Sequence, residues 1–278
     1  MAIFGWTIDT RSLFPEERAA LLELLGSLGT SDWSRPTVCP GWNVRDIVGH
    51  LVNDYLRRLS GSRDGHAGVP FSAGETLPDY LRRINEEFVR AVRQCGPHVL
   101  IDLVSHLGPQ LDQLWVEADL DAPAWLNVSW ADPVIASPTW LDIAREFTEF
   151  WMHQQQIRDA VGRPGATTPR LLAPVLDTLV RALPQALRGQ IRPRGTTLRF
   201  EVTGPAGGTW LAVRQSDRWR LSRDDRSGVA EASVSMDQDT LWRLASRGIS
   251  VAEARRRSRL AGDPGLHQAA TTLLAIVR

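Results

Sequence analysis

Glu149 and His153 stand four residues apart in the stretch 146–164, EFTEFWMHQQQIRDAVGRP. On a helix that spacing stacks two side chains on one face, so a carboxylate and an imidazole can grip one metal ion. His50 is the candidate third donor. Neutral imidazole with carboxylate suits zinc, iron or nickel. Three protein donors leave one position for water or substrate, as catalytic rather than structural centres do. A metal held there lowers the pKa of a bound water or thiol and polarises a carbonyl. The same spacing also describes an ordinary surface Glu–His pair, and a histidine near a core face is often only hydrogen-bonded. The residue pattern by itself leaves both readings open.

Other reactive residues point less sharply. His66, His98, His106 and His267 read as surface or capping residues. Cys39, before Pro40, reads as a small buried side chain rather than a nucleophile. Of the 11 tryptophans, Trp125, Trp130 and Trp151 can line an apolar pocket and the rest read as core. Arg255, Arg256 and Arg257 read as a solvated helix face. The chain has no lysine, which excludes Schiff-base and P-loop chemistry.

The elements that must position these residues can be read from pattern. Residues 13–29 form a first helix, with Pro15, Glu16 and Glu17 at its start. Asn43 caps a second, about 43–61, and Asp46 completes a capping box. Val44, Ile47, Val48, Leu51, Val52 and Tyr55 are its buried stripe, with His50 at the stripe's edge. Gly49 allows another helix or a ligand to approach closely. A helical region over about 77–118 is interrupted at Gly96-Pro97. Residues 119–139 are irregular, and a last helix runs from about 138 to 162. Together these make a helical bundle.

The polar stretch 162–170 divides a first domain, 1–163, from a second, 164–278. In the second, a helix at about 170–188 precedes strands at 197–202, 210–213, 219–221 and 232–236. Helices at about 237–246, 250–257 and 265–277 follow. The expectation is an α+β domain with an antiparallel sheet.

The 278 residues are 43% hydrophobic and 23% charged, with 32 basic and 32 acidic residues. Zero net charge argues against nucleic acid as a partner. No apolar run of about 18 residues or signal-peptide pattern occurs, so no membrane span is expected and the default location is cytoplasmic. Cys39 and Cys95 form no CxxC pair, and no disulfide framework is expected.

The run Cys39-Pro40-Gly41-Trp42-Asn43-Val44-Arg45-Asp46-Ile47-Val48-Gly49-His50-Leu51 resembles the PGW(T/S)VRDxxxHL motif of the DinB/YfiT-like superfamily. More closely, it resembles the mycothiol-dependent maleylpyruvate isomerase-like proteins. Glu149 through His153 match their E-x-x-x-H motif, and 241–264 resembles their C-terminal domain, related to sterol-carrier folds. The resemblance implies a metal-bearing N-terminal four-helix bundle with His50, Glu149 and His153 as ligands. The implied metal is zinc first, with nickel or iron as alternatives. It also implies mycothiol as a thiol cosubstrate and nucleophile toward a small electrophile, in an isomerase or S-transferase. Trp151 and Gln156 are the expected cofactor-facing positions, and Arg247 the expected catalytic anchor for a carboxylate. Gln156 stands where related proteins often carry Asp. An amide there is not expected to act as a charged base or as a strong acceptor behind a metal ligand. Two other readings remain at this level: a non-catalytic binding protein for an apolar ligand, and a metal hydrolase using bound water.

Overall fold

The structure is a computed structural model and describes residues 3–222 and 230–276. Its described residues divide into two compact units, one of 10–120 with 149–166 and one of 3–9, 121–148 and 167–276.

The first unit is helical. It contains α1 (Phe14–Gly26), α2 (Val44–Arg58), α3 (Leu77–Val92), α4 (Pro97–Val116) and the residues of α5 (Thr139–Val161) from Glu149 onward. α2 starts at the expected capping box: Asn43 Oδ1 accepts from the Asp46 amide, and Asp46 Oδ2 accepts from the Asn43 amide, both at 3.1 Å. The interrupted region is two separate helices. Gly96 is the cap of α4, and Pro97, with no N–H to leave unbonded, opens it.

The expected stripe of α2, Val44 through Tyr55, is buried. Tyr55 stacks on Phe150 of α5 at 4.7 Å, and Phe14 of α1 meets Phe150 edge-on at 6.0 Å. A Cβ at Gly49 would fall 2.7 Å from Val92 Cγ1, so the element that approaches this glycine is α3.

Polar side chains also tie α1 to α5. Gln154 Nε2 donates to Glu17 Oε1 at 2.7 Å and to the Glu17 carbonyl at 3.0 Å. Arg158 Nε donates to Gln154 Oε1 at 2.9 Å. Burial pushes the Glu17 carboxyl up to about 7, against the pull of Gln154, Arg18 and Arg158.

The second unit carries a five-stranded sheet in the order β3-β2-β1-β4-β5. Its strands are β1 (Thr197–Thr203), β2 (Gly208–Arg214), β3 (Trp219–Ser222), β4 (Ala232–Asp237) and β5 (Arg259–Gly262). Leu198, Phe200 and Val202 alternate inward along β1, and Ala232, Val234 and Met236 do so along β4. The expected sheet was antiparallel, but this one is mixed. β4 returns beside β1 in parallel, pairing Phe200 with Val234, while the other three pairings are antiparallel. Alternation marks which face of a strand is buried and carries no information about the neighbour's direction. β5 was not expected: its four residues are mostly exposed, and an exposed edge strand has no inward face to leave a pattern.

The helix expected over 170–188 is two: α6 (Pro169–Val180) and α7 (Leu183–Ala186). Pro184 cannot donate to a preceding carbonyl, and a continuous helix would need that bond. α8 (Gln238–Ala245), α9 (Val251–Arg256) and α10 (Pro264–Ala270) follow, α10 ending well before the expected 277.

Asp177 of α6 gathers much of the polar core of this unit. It accepts from Trp6 Nε1 at 2.8 Å, Trp210 Nε1 at 2.6 Å and Arg181 Nη2 at 3.0 Å. The Arg181 guanidinium also lies 4.1 Å over the Trp6 ring. One carboxylate thus fixes the N-terminal segment, α6 and β2 together.

The raised Glu17 pKa makes folding favour the protonated acid. Relative to an ordinary carboxyl near 4.5, the native chain holds an extra proton between pH 4.5 and 7. Stability from this site is full below that window and is lost as pH rises through 7, by about 3 kcal/mol. Glu17→Gln should abolish that slope and leave the variant more stable than the parent at pH 8. Urea unfolding at pH 5, 6.5 and 8 measures it.

Candidate metal centre

The expected donors converge. Glu149 Oε1 lies 3.0 Å from His153 Nε2 and 3.4 Å from His50 Nε2. One donor atom from each of the three residues falls within 4.8 Å of the others. The two imidazoles meet edge to face, their centroids 4.7 Å apart. The histidines are buried, whereas the Glu149 side chain keeps 26% of its surface exposed, so the cluster reaches solvent on the carboxylate side.

Local sequence explains how each donor is aimed. Trp42 donates its amide to the Cys39 carbonyl at 3.0 Å, closing a turn over Pro40 and Gly41. Gly41 has φ +80°, the value the third residue of a type II turn requires and one that glycine adopts without a Cβ penalty. Proline suits the position before it. This turn brings the Trp42 ring to 5.3 Å from His50 and leads directly into the Asn43 cap. Asp46, besides capping α2, takes a two-pronged pair from Arg93 at 2.9 and 3.1 Å, which ties α2 to the end of α3. His50 follows Asp46 by one turn of the same helix face. Glu149, His153 and Gln156 share a face of α5 by the same periodicity.

Gln156 departs from expectation. Its Oε1 lies 2.7 Å from His153 Nδ1 and 3.2 Å from Cys39 Sγ. An amide oxygen can only accept, so His153 Nδ1 carries a proton and directs it away from Glu149. Nε2 is thereby the nitrogen presented to the cluster. This is the support that a carboxylate or carbonyl gives a metal-bound imidazole, supplied here by a neutral amide. Cys39, expected only as a small buried side chain, donates its thiol to the same oxygen and so belongs to the support of the centre.

Electrostatics agree with a closely coupled pair. Burial alone would push the Glu149 carboxyl up, but the His153 and His50 imidazoles beside it hold it well below the usual carboxylate range. Burial alone would lower His153, yet the Glu149 charge and its bonds to Cys39 and Glu149 hold it well above the usual imidazole value. Two imidazoles and a carboxylate converging from two helices fit a borderline divalent cation, zinc among them. His50 Nδ1 is buried and finds no hydrogen-bond partner among the described residues, in contrast to the anchored Nδ1 of His153.

Of the other expected site residues, Trp151 is fully buried and donates its indole N–H to the Ala166 carbonyl at 2.7 Å. Arg247 belongs to the other unit and follows α8. Its φ is +62°, in the left-handed position that ends a helix and that glycine usually fills. The amides of Arg247 and Gly248 bond the carbonyls of Leu244 and Arg243 at 3.2 and 2.7 Å, completing that end. Asp54 was missed by sequence reasoning. Its Oδ2 lies 3.4 Å from His50 Nε2, and its spacing of four from His50 was the available signal. A separate cleft of about 550 Å³ is lined by Ile8, Pro174, Asp177 and Trp210, all within the second unit.

Comparison with known proteins bears on this arrangement. Residues 14–158 match the family described as mycothiol maleylpyruvate isomerase N-terminal domain. Uncharacterized proteins from two strains of Mycobacterium tuberculosis are each 23% identical over 250 residues, covering 87% of this chain and 91% of the relative. Crystal structures of the mycothiol-dependent maleylpyruvate isomerase and of a histidine-to-alanine mutant of it superpose with TM-scores of 0.52. Their identities are 15% and 14%, and each alignment covers 86% of this chain and 88% of the other. At that identity the likeness establishes the shared two-domain α+β fold.

Removing the amide acceptor should loosen the centre while leaving its three donors in place. Gln156→Leu is expected to weaken divalent-cation affinity about 10–100-fold, the usual cost of losing the group behind a metal-bound imidazole. Competition against a chromophoric chelator reads this out. An unchanged affinity would show that the Gln156 bond does not serve the centre.

Proposed function

This chain belongs to the mycothiol maleylpyruvate isomerase N-terminal domain family, and from that membership we propose that it is a metal-dependent enzyme that applies a low-molecular-weight thiol, of the mycothiol kind, to a small electrophilic substrate. The observation that carries the reading is Glu149 Oε1 standing between His50 Nε2 and His153 Nε2 within the matched bundle. His50, Glu149 and His153 hold the divalent cation. Bound there, it supplies Lewis acidity that favours the thiolate form of a thiol at neutral pH.

The chain's own residues do the rest. Gln156 and Cys39 keep the His153 ring turned so that Nε2 faces the cluster. Trp42 packs beside His50 and, with the burial of both histidines, keeps water from all but the carboxylate side. The thiolate sulfur adds to one carbon of an activated double bond, whose π pair moves onto the conjugated carbonyl as an enolate. Loss of the thiolate re-forms the double bond, whereas return of the thiol's proton to the enolate carbon completes the adduct. An isomerase then expels the same thiol after rotation about the former double bond, whereas a transferase keeps the new carbon–sulfur bond.

Within the second unit, Arg247 is the residue we assign to bind a carboxylate. A non-glycine residue with φ +62° costs about 1 kcal/mol of backbone strain, and such strain is typically kept where a side chain is needed. Arg247→Gly is therefore expected to raise thermal stability by about 1 kcal/mol while lowering turnover. Calorimetry and assay of the same preparation separate the two effects, and a variant as active as the parent would remove that role from Arg247.

The principal test is metal analysis joined to a thiol-dependence screen. Purified protein is expected to hold about one divalent ion per chain, lost in His50→Ala and in His153→Ala. Small α,β-unsaturated acids and epoxides are then assayed with and without added thiol. Stoichiometric metal in both variants would overturn the site. Turnover indifferent to thiol would replace this reading with a hydrolase using bound water.

A further inference from the structure

The donor-bearing half of α5 is gripped on the side away from its donors. With about 100° of turn per residue, Glu149, His153 and Gln156 share one face of α5, and Trp151, Gln155 and Arg158 share the opposite one. Those last three side chains donate to three carbonyls of the segment that follows the helix. Trp151 Nε1 bonds the Ala166 carbonyl at 2.7 Å, Gln155 Nε2 that of Gly165 at 3.1 Å, and Arg158 Nη1 that of Arg163 at 3.3 Å. The later the carbonyl, the earlier the donor, so 163–166 runs back along the helix. Arg163 holds the near end, donating to the Ser27 carbonyl at the end of α1 at 2.6 Å and to Asp32 Oδ2 at 3.2 Å. Gly165 makes room for the close approach, since a Cβ there would lie 2.6 Å from Arg158 Nη1. Ala166 has φ +55°, a left-handed value that strains a residue with a Cβ, and in that conformation its carbonyl meets Trp151.

We infer that 163–166 is a strap that sets the rotation of α5, and that Trp151 and Gln155 are positioning residues of the centre that act through it. The inference rests on the metal reading above and says what aims two of its three donors. Buried Phe147, Phe150, Ile157 and Val161 decide which side of α5 faces the bundle. Apolar contact is non-directional, however, and tolerates a small rotation of the helix. Hydrogen bonds are directional. Three of them, spread over two turns, must bend together if α5 rotates. Rotation matters here because Glu149 and His153 would move sideways with α5 while His50 stays with α2. Trp151 stands two residues from Glu149 and two from His153, and its N–H goes to the strap. Its part in the centre is to aim the helix.

Ala166 offers a test on the full chain that leaves all three donors in place. Ala166→Val puts a β-branched residue where the backbone is left-handed and should dislodge the strap. Ala166→Gly relaxes the same backbone and should keep it. Amide hydrogen exchange over 149–158 is measured in metal-free protein. Cobalt(II) affinity is measured by chelator competition, and the visible absorption of the cobalt-loaded protein reports the geometry of the donors. Ala166→Val is expected to speed exchange over 149–158, to weaken cobalt binding about fivefold, the equivalent of one buried hydrogen bond, and to shift the absorption. Trp151→Phe, which removes the indole N–H, should act in the same direction, and Ala166→Gly should match the parent. Leu100→Ala, at a fully buried position of α4, should lower stability and leave the absorption unchanged. An equal shift in Leu100→Ala would mean general loosening and would overturn the inference. Cobalt affinity and absorption unchanged in both Ala166→Val and Trp151→Phe would overturn it too, with the metal reading left standing. If the parent takes up no cobalt, the metal reading fails and this inference fails with it.

Discussion

One carboxylate oxygen between two imidazole nitrogens sets the demand that the bundle must meet. Glu149 Oε1 reaches His153 on its own helix through simple periodicity, but it reaches His50 across 99 residues of sequence. The second contact exists only if α2 and α5 are held at a fixed separation and rotation. Displacing either helix by an ångström would separate Oε1 from His50 Nε2. The aromatic contacts of Phe150 with Tyr55 and Phe14 fix the spacing, and Asp46 with Arg93 ties the start of α2 to the end of α3. Gln154 and Glu17 fix α5 against α1. Apolar packing and buried polar bonds here serve the same requirement.

Burying these groups is costly unless every charge is matched. Glu149 and His153 match each other, and the remaining His153 nitrogen is taken by Gln156, which also receives the Cys39 thiol. The oxygen of a neutral amide suits this position because it orients the ring without adding another buried charge. Among the described residues His50 has no such support at Nδ1, and it is held by Trp42 and by the carboxylates near Nε2. The two histidines of the centre therefore differ in how firmly they are oriented.

The second unit follows a different organising rule. Its sheet packs on alternating apolar faces, and Asp177 collects three donors into one buried polar point. The exception to local preference is Arg247, which occupies a left-handed helix end where glycine would be relaxed.

Much of this was legible in the sequence because it depends on neighbours in the chain. The Asn43–Asp46 capping box and the buried stripe of α2 are set by residue type and short spacing. The pairing of Glu149 with His153 is set the same way. The inward alternation of β1 and β4 was also readable, because a strand's two faces differ in burial. What only the tertiary structure decided are relations between distant segments. The meeting of His50 with Glu149, the bond from Gln156 to His153 beside Cys39, and the nearness of Asp54 all depend on how helices are rotated against one another. The parallel return of β4 and the edge strand β5 depend on strand partnership, which alternation does not encode. Sequence periodicity gives each element its faces, and packing alone chooses which faces meet.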